Sequence, residues 1–227
     1  MSADAISIVI PTLNEGAQIA GVLTRLQPLR KHGHEIILVD GGSDDVTVQQ
    51  AAGLVDQVLE APRGRASQMS AGTALASHAV LWFLHADSWV PDHADDLIAA
   101  ALRRSPWGRF DVRLSGRHRR PLLRMVEWLM NRRSCLTGIA TGDQGIFVTR
   151  RMLDAVGGMP PLPLMEDVEL SRRLRRLGRP ACITRPLITS SRRWEQRGVW
   201  RTIGLMWLLR TAYALGVSPA RLARHYH

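Results

Sequence analysis

Val80-Leu81-Trp82-Phe83-Leu84-His85-Ala86-Asp87-Ser88 is an apolar run that stops abruptly at an imidazole and a carboxylate. A short run of this character reads as a buried strand, and residues two apart on a strand face the same side. His85 and Asp87 are therefore expected on one face, with Ala86 leaving room between them. Such a pair can hold a divalent ion at the carboxyl end of a strand, where open α/β sheets bind their ligands. Locally the stretch has a second reading, with Asp87 capping a helix that starts near Pro91 and His85 satisfied in the core.

Upstream, Ile6 to Ile10 is a β-branched run closed by Pro11, Glu15 to Arg30 follows a helical pattern, and Glu35 to Val39 runs into Asp40-Gly41-Gly42. That succession is a βαβ unit. A third strand is expected at Gln57 to Glu60, a helix from Arg65 to Ala76, a strand at Ala79 to Leu84 and a helix from Pro91 to Arg103. Short apolar strands separated by helices imply an α/β fold with a mostly parallel sheet covered on both faces. After Pro106 the pattern changes to a strand at Arg109 to Leu114, a basic amphipathic helix at Pro121 to Asn131 and a strand at Gly145 to Thr149.

At 227 residues the chain has room for one large core. Its net charge of +10 is divided unevenly: residues 1 to 100 carry 5 basic and 12 acidic side chains, residues 101 to 227 carry 25 and 8. The N-terminus lacks a basic n-region and a small-residue cleavage site, so no signal peptide is expected and the protein is expected to stay in the cytoplasm. Cys135 and Cys182 are the only cysteines and lie outside any CxxC spacing, so neither a disulfide framework nor a zinc site is expected. Arg210 interrupts the longest apolar stretch, Ile203 to Val217, and no membrane-spanning helix is expected.

Four acidic or polar clusters fall at strand ends or beyond them: Pro11-Thr12-Leu13-Asn14-Glu15, Asp40 to Asp45, His85-Ala86-Asp87, and Glu166-Asp167. IVIPTLNE, LVDGGSDD, GRASQMSAG, FLHADS and the downstream ED resemble family 2 inverting glycosyltransferases of the GT-A fold, over roughly residues 6 to 195. The HAD variant and SSRRWEQRGVWRT are similar to a bacterial subgroup labelled arsenosugar-biosynthesis-type glycosyltransferases. The resemblance implies one GT-A domain over 1 to 227: a Rossmann-like nucleotide-binding half to about 105, an acceptor and catalytic half at about 106 to 195, and a basic, Trp-rich helical tail at 196 to 227.

It also implies roles. Pro11, Thr12, Asn14, Glu15, Asp40, Arg65, Ala86 and Asp87 would line the nucleotide-sugar pocket, with Asp40 reading the base. Asp87 matches the last aspartate of the family's DxD motif, which holds Mn2+ or Mg2+ against the diphosphate. His85 stands in place of the first aspartate, as a metal ligand or a hydrogen-bond donor to ribose or phosphate. Asp167 would be the general base, with Glu166 and Asp143 beside the acceptor. Arg193 and Trp194 resemble a reduced QxxRW motif, whose missing glutamine counts against processive polymer synthesis.

Trp194, Trp200 and Trp207 accompany seven Arg between residues 192 and 227, and HRRPLLRMVEWLMNRR at 118 to 133 has the same character. Peripheral contact with an anionic membrane at its inner face is one reading; packing on the sheet or on a second subunit is the other. Nucleic acid is not an expected partner, because the aromatic residues are Trp on apolar faces. The expected activity is transfer of a sugar from a nucleotide-diphosphate donor to a hydroxyl on a small-molecule or lipid acceptor. A sugar-phosphate nucleotidyltransferase is the alternative enzyme, disfavoured by the lack of a Gly-rich triphosphate loop after the first strand. A non-catalytic basic module on a membrane surface or nucleotide is the alternative outside enzymes.

Overall fold

The computed structural model describes residues 5–115, 121–191 and 198–224. The chain alternates β1 (Ile6–Thr12), α1 (Ile19–Lys31), β2 (Glu35–Asp40), α2 (Thr47–Ala51), β3 (Gln57–Glu60), α3 (Arg65–Leu75), β4 (Val80–Phe83) and α4 (Ala94–Leu102). It continues through β5 (Trp107–Leu114), α5 (Pro121–Thr137), a 3-10 turn at Gly142–Gln144, β6 (Phe147–Thr149), α6 (Arg150–Ala155), α7 (Glu166–Leu177) and β7 (Ala181–Thr189). Two helices end the described chain, α8 (Val199–Ala214) and α9 (Pro219–Ala223).

All seven strands join one sheet in the order β3-β2-β1-β4-β6-β5-β7, and only β6 runs against its neighbours. Ile8, Ile10, Ile36, Leu38 and Trp82 meet Leu23, Leu26 and Ile98 on one face; Val9, Ile37, Val39 and Leu81 meet Met69, Leu170 and Leu174 on the other. A sheet covered on both faces explains why its strands read as continuous apolar runs rather than alternating ones. Gly72 is where α3 comes closest to the sheet: a Cβ there would lie 2.5 Å from Val9 Cγ1. Because β1, β2 and β4 are parallel, their carboxyl ends collect on one edge, and the polar clusters collect with them.

Several expectations need correction. The strand of the opening stretch ends at Phe83, so His85 and Asp87 lie past it, in a turn where Ser88 N donates to His85 O at 3.1 Å. Strand alternation therefore does not set their directions. The first helix starts at Ile19 rather than Glu15, because residues 13–18 form a loop with Asn14 in the left-handed region. The helix after Arg103 extends to Thr137, beyond the expected end at Asn131.

Cys135 and Cys182, read as unpaired from their spacing, are disulfide-bonded, with Cα atoms 6.0 Å apart. Their sequence separation of 47 is closed by the pairing of β7 on β5, where Cys182 lies opposite Arg109. Strand β7 itself had not been foreseen. It is an edge strand, and a register shift after Phe110 absorbs Thr184 and Arg185 before Pro186 rejoins the ladder opposite Asp111. Among the described residues no helix is long and apolar enough to cross a membrane.

Candidate active site

Strands β1 and β2 end side by side at Thr12 and Asp40. The Asp40 carboxylate is buried and turns back on its own loop: Oδ2 accepts from Gly42 N at 3.0 Å and Ser43 N at 2.7 Å, while Oδ1 accepts from Ser43 Oγ at 2.5 Å and Thr12 Oγ1 at 3.4 Å. Those four donors occupy the roughly four lone-pair positions of a carboxylate. Asp40 thus shapes the loop at the carboxyl ends of β1 and β2.

The facing loop is tied to the same turn. Asn14 N donates to Ser43 Oγ at 2.9 Å, Asn14 Oδ1 accepts from Asp44 N at 3.0 Å, and Glu15 N donates to Thr47 Oγ1 at 2.8 Å. Glu15 Oε2 accepts from Gln18 Nε2 at 2.5 Å, and Pro11 is buried opposite Val39. Beneath both strand ends, Gln68 of α3 donates from Nε2 to Thr12 O and to Val39 O, each at 2.8 Å. Gln68 lies inside the GRASQMSAG stretch, but no sequence expectation gave it this role. Its helical spacing with Arg65 and Gly72 is the signal that could have found it.

Arg65, the first residue of α3, reaches across to α7, where its Nε lies 3.2 Å from Glu166 Oε1. Glu166 is 3% exposed. Burial, and then the neighbouring Asp167, push its carboxyl above the usual range against the pull of Arg65. Asp167 is held differently: Oδ2 accepts from Gly142 N at 2.7 Å and Oδ1 from Val168 N at 2.7 Å. Each oxygen keeps a further lone pair. Met165, just before this helix, is in the left-handed region, a strained setting for a non-glycine residue that recurs at functional sites.

The imidazole of His85 stands over the 3-10 turn. Its Nδ1 is 3.2 Å from Asp143 Oδ1, and its Nε2 faces Gly142 so closely that a Cβ there would come within 2.4 Å. Burial opposes protonation of His85, but the hydrogen bond and charge of Asp143, helped by Asp87 and resisted by Arg65, leave its pKa raised. Ala86 is buried beneath the turn. Asp87 Oδ1 accepts only a long bond, 3.4 Å, from Thr189 Oγ1 at the end of β7. The paired bonds of Trp89 with Ile188, 2.8 and 2.9 Å, fasten the rest of that turn to the same strand.

Among the described residues, no group of three or more His, Cys, Asp and Glu side chains could hold a metal by itself. A divalent ion that binds with a diphosphate needs only one or two carboxylates, the phosphates and water supplying the other oxygens. Asp87 has that capacity, and Ser88 Oγ in the same turn is buried with no hydrogen-bond partner, so the polar capacity of this turn is not exhausted within the protein. The donor set fits a hard ion shared with substrate and does not fit a closed protein cage.

A cavity beneath these groups is lined by Met69, Phe83, Ile146, Met159 and Leu170 together with His85, Glu166 and Asp167. Arg65, His85, Asp143, Glu166 and Asp167 thus converge, with Asp87 close enough to act on His85. Thr12, Asn14, Glu15 and Asp40 form a second group along the strand edge. Arg193 and Trp194 lie outside the described residues. Sequence reasoning also missed Arg133 and Arg210, on α5 and α8, whose charges reach Asp167.

Solved structures share this architecture. A mannosyltransferase, PcManGT from Pyrobaculum calidifontis in complex with GDP-Man and Mn2+, is 20% identical, with a TM-score of 0.67 over 98% of this chain and 68% of that one. Glucosyl-3-phosphoglycerate synthase from Mycobacterium tuberculosis, in complex with Mn2+, UDP and glucosyl-3-phosphoglycerate, is 20% identical, with a TM-score of 0.59 over 82% of this chain and 71% of that one. TarS from S. aureus is 15% identical, with a TM-score of 0.63 over 82% of this chain, which spans only 36% of the TarS chain. At such identities the likeness shows the fold, a GT-A type α/β sheet. No curated protein matches the chain in sequence. Residues 7–157 match the family model of glycosyl transferase family 2, a span that takes in β1 through α6 and the Thr12, Asp40, Arg65, Asp87 and Asp143 clusters, and the chain belongs to that family.

Proposed function

We propose that this protein is a metal-dependent inverting glycosyltransferase that moves one sugar from a nucleotide-diphosphate donor to a hydroxyl of a small-molecule or lipid-like acceptor. The observation that carries the reading is the position of Asp167, fixed by the Gly142 and Val168 N–H groups in the same cleft as His85 and Asp143. Thr12, Asn14, Glu15 and Asp40 form the nucleotide side of that cleft, with Arg65 between them and Glu166. Asp87 supplies a carboxylate oxygen for Mn2+ or Mg2+, and His85 borders that position through its tie to Asp143. A divalent ion bound there supplies positive charge that neutralises the diphosphate and favours its departure.

Asp167 accepts the proton of the acceptor hydroxyl as that oxygen bonds to the anomeric carbon. The bond to the diphosphate breaks on the opposite side, and its electron pair leaves with the nucleotide. Burial and the charge of Asp167 raise the pKa of Glu166 next to the base, while Arg65 pairs with it from the other side. PcManGT with GDP-Man and Mn2+, and the synthase with UDP and Mn2+, support the donor and metal classes. The HAD variant supports a resemblance, within the family, to the arsenosugar-biosynthesis-type subgroup.

Membrane contact belongs to the same proposal. Helix α8 packs Leu209 on Leu164 and Met165 but exposes Trp200, Trp207 and Leu208, and α5 exposes Trp128 and Leu129 beside Arg124 and Arg132. Apolar and cationic side chains together suit an anionic bilayer surface, and we assign the protein to the cytoplasm, at the inner face of the membrane where its acceptor is lipid-like.

The test is Asp167→Asn. One oxygen cannot serve both backbone donors, so a modest fall in melting temperature is expected, with nucleotide-sugar affinity retained. Turnover of UDP-, GDP- or dTDP-sugars in Mn2+ should fall about 10²-fold or more. Turnover at the wild-type rate would remove Asp167 from the role of base.

A further inference from the structure

Two guanidinium groups whose charges reach Asp167 lack partners among the described residues. Arg133, near the C-terminus of α5, and Arg210, in α8, make no hydrogen bond or ion pair among the described residues, and both are partly buried. Their backbones are fixed from two directions. Ser134, next to Arg133, accepts from Gln144 Nε2 at 2.9 Å in the turn that carries Asp143. Leu209, next to Arg210, is buried against Leu164 and Met165, immediately before Glu166 and Asp167. Arg109 deepens the positive field: its Nε is buried and unpartnered, although the rest of its guanidinium meets Asp111 and Asn131 O.

The charges act on one another. Burial lowers Arg133 to about 10, Arg210 and Arg109 add to the effect, and Asp167 opposes it. Arg210 is also lowered by burial, with Asp167 and Asp143 opposing. Two partly buried like charges without hydrogen-bond partners are costly until an anion joins them, and the planar fork of arginine suits phosphate and carboxylate. Both side chains come from helices outside the strand edge that forms the nucleotide pocket.

We propose that Arg133 and Arg210 form an anion subsite beside Asp167 that binds a phosphate or carboxylate carried by the acceptor. The enzyme then selects molecules that present a hydroxyl and an anion together. This rests on the reading of Asp167 as the base that meets the acceptor.

The experiment is calorimetric titration of the full chain, saturated with UDP and Mn2+, with glycerol 3-phosphate. A parallel arm uses dodecyl phosphate in neutral detergent micelles. Wild-type protein should bind at least one, and Arg133→Gln and Arg210→Gln should each weaken that binding about ten- to hundredfold, the scale of a charged hydrogen bond. Arg176→Gln, on the exposed end of α7, should not. Arg133→Lys and Arg210→Lys should recover part of the affinity, which separates lost recognition from lost folding. Arginine-dependent binding of glycerol 3-phosphate supports a soluble acceptor, and of dodecyl phosphate alone a lipid one.

No phosphate binding by wild-type protein, or equal binding by the Gln variants, overturns the subsite. A parallel loss of UDP affinity also overturns it, by moving both arginines to the donor diphosphate. Donor hydrolysis measured on the wild-type preparation separates the two readings. Hydrolysis without arginine-dependent phosphate binding sinks the subsite alone; phosphate binding without turnover of any donor sinks the transferase reading and the acceptor role with it.

Discussion

Gly142→Ala is the substitution whose effect the geometry defines most narrowly. Gly142 is not in the left-handed region, so its backbone accepts alanine and only the surroundings object. The new Cβ would lie 2.4 Å from His85 Nε2 and 2.7 Å from Cε1, where ordinary contact needs about 3.5 Å. The ring must withdraw by about 1 Å, which breaks its 3.2 Å contact with Asp143. Overpacking of this kind costs about 1–3 kcal/mol, and a bond to a half-exposed carboxylate adds about 1 kcal/mol.

In a His85→Ala background the obstruction is gone, and the same substitution should stabilise by about 0.4–1 kcal/mol through the unfolded chain. A four-member cycle followed by urea unfolding at neutral pH should therefore show a coupling of about 2–4 kcal/mol between the two positions. Additivity to within about 0.5 kcal/mol, the usual result for independent sites, would refute the packing of the imidazole on this turn.

Gln68→Met keeps the volume but removes two bonds, to Thr12 O and Val39 O. Thr12 O still has Gly41 N and Val39 O still has Thr12 Oγ1, so the loss should be about 2 kcal/mol rather than more, read by urea unfolding, with weaker UDP binding as the strand ends loosen. Asp95 tests a pH effect at the opposite edge of the sheet. Ile6 N donates to His34 Nδ1 at 3.1 Å, which leaves the proton on Nε2 to meet Asp95 at 3.2 Å. Burial works against the Asp95 charge, yet the bonds from His32 and His34 hold its carboxyl below the usual range. Its contribution is therefore present above about pH 4 and lost as pH falls through its lowered pKa. Asp95→Ala should cost about 2 kcal/mol at pH 7 and far less once the pH falls below the lowered pKa of Asp95, and an equal cost at both would exclude an ionised Asp95 as the acceptor of these bonds.

The N-terminal half was legible because its signals are local. Each apolar run from Ile6 to Phe83 ends in a polar cluster, and α/β sheets place strand ends and ligands together. Strand β7 was not legible because ACITRPLIT contains Arg185 and Pro186 and lies on an edge, where a bulge makes both tolerable. The disulfide followed it into obscurity, since Cys182 meets Cys135 only after β7 pairs with β5. Arg133 and Arg210 lie 77 positions apart in helices that read as basic and amphipathic. Nothing local marks them as neighbours.

The lateness of β7 has a consequence for how the protein comes into being. The turn bearing Asp87 is clasped by Ile188 and Thr189, about a hundred positions downstream. Contacts so distant along the chain form slowly, because the intervening loop must first be closed. A nascent chain that has emerged only through β4 and α4 holds the βαβ framework and the Asp40 loop, yet its Asp87 turn has nothing to rest against. Competence for the diphosphate should then arrive in a single late event, when the last strand docks, and a donor analogue added during refolding would report the moment of completion rather than the collapse of the sheet.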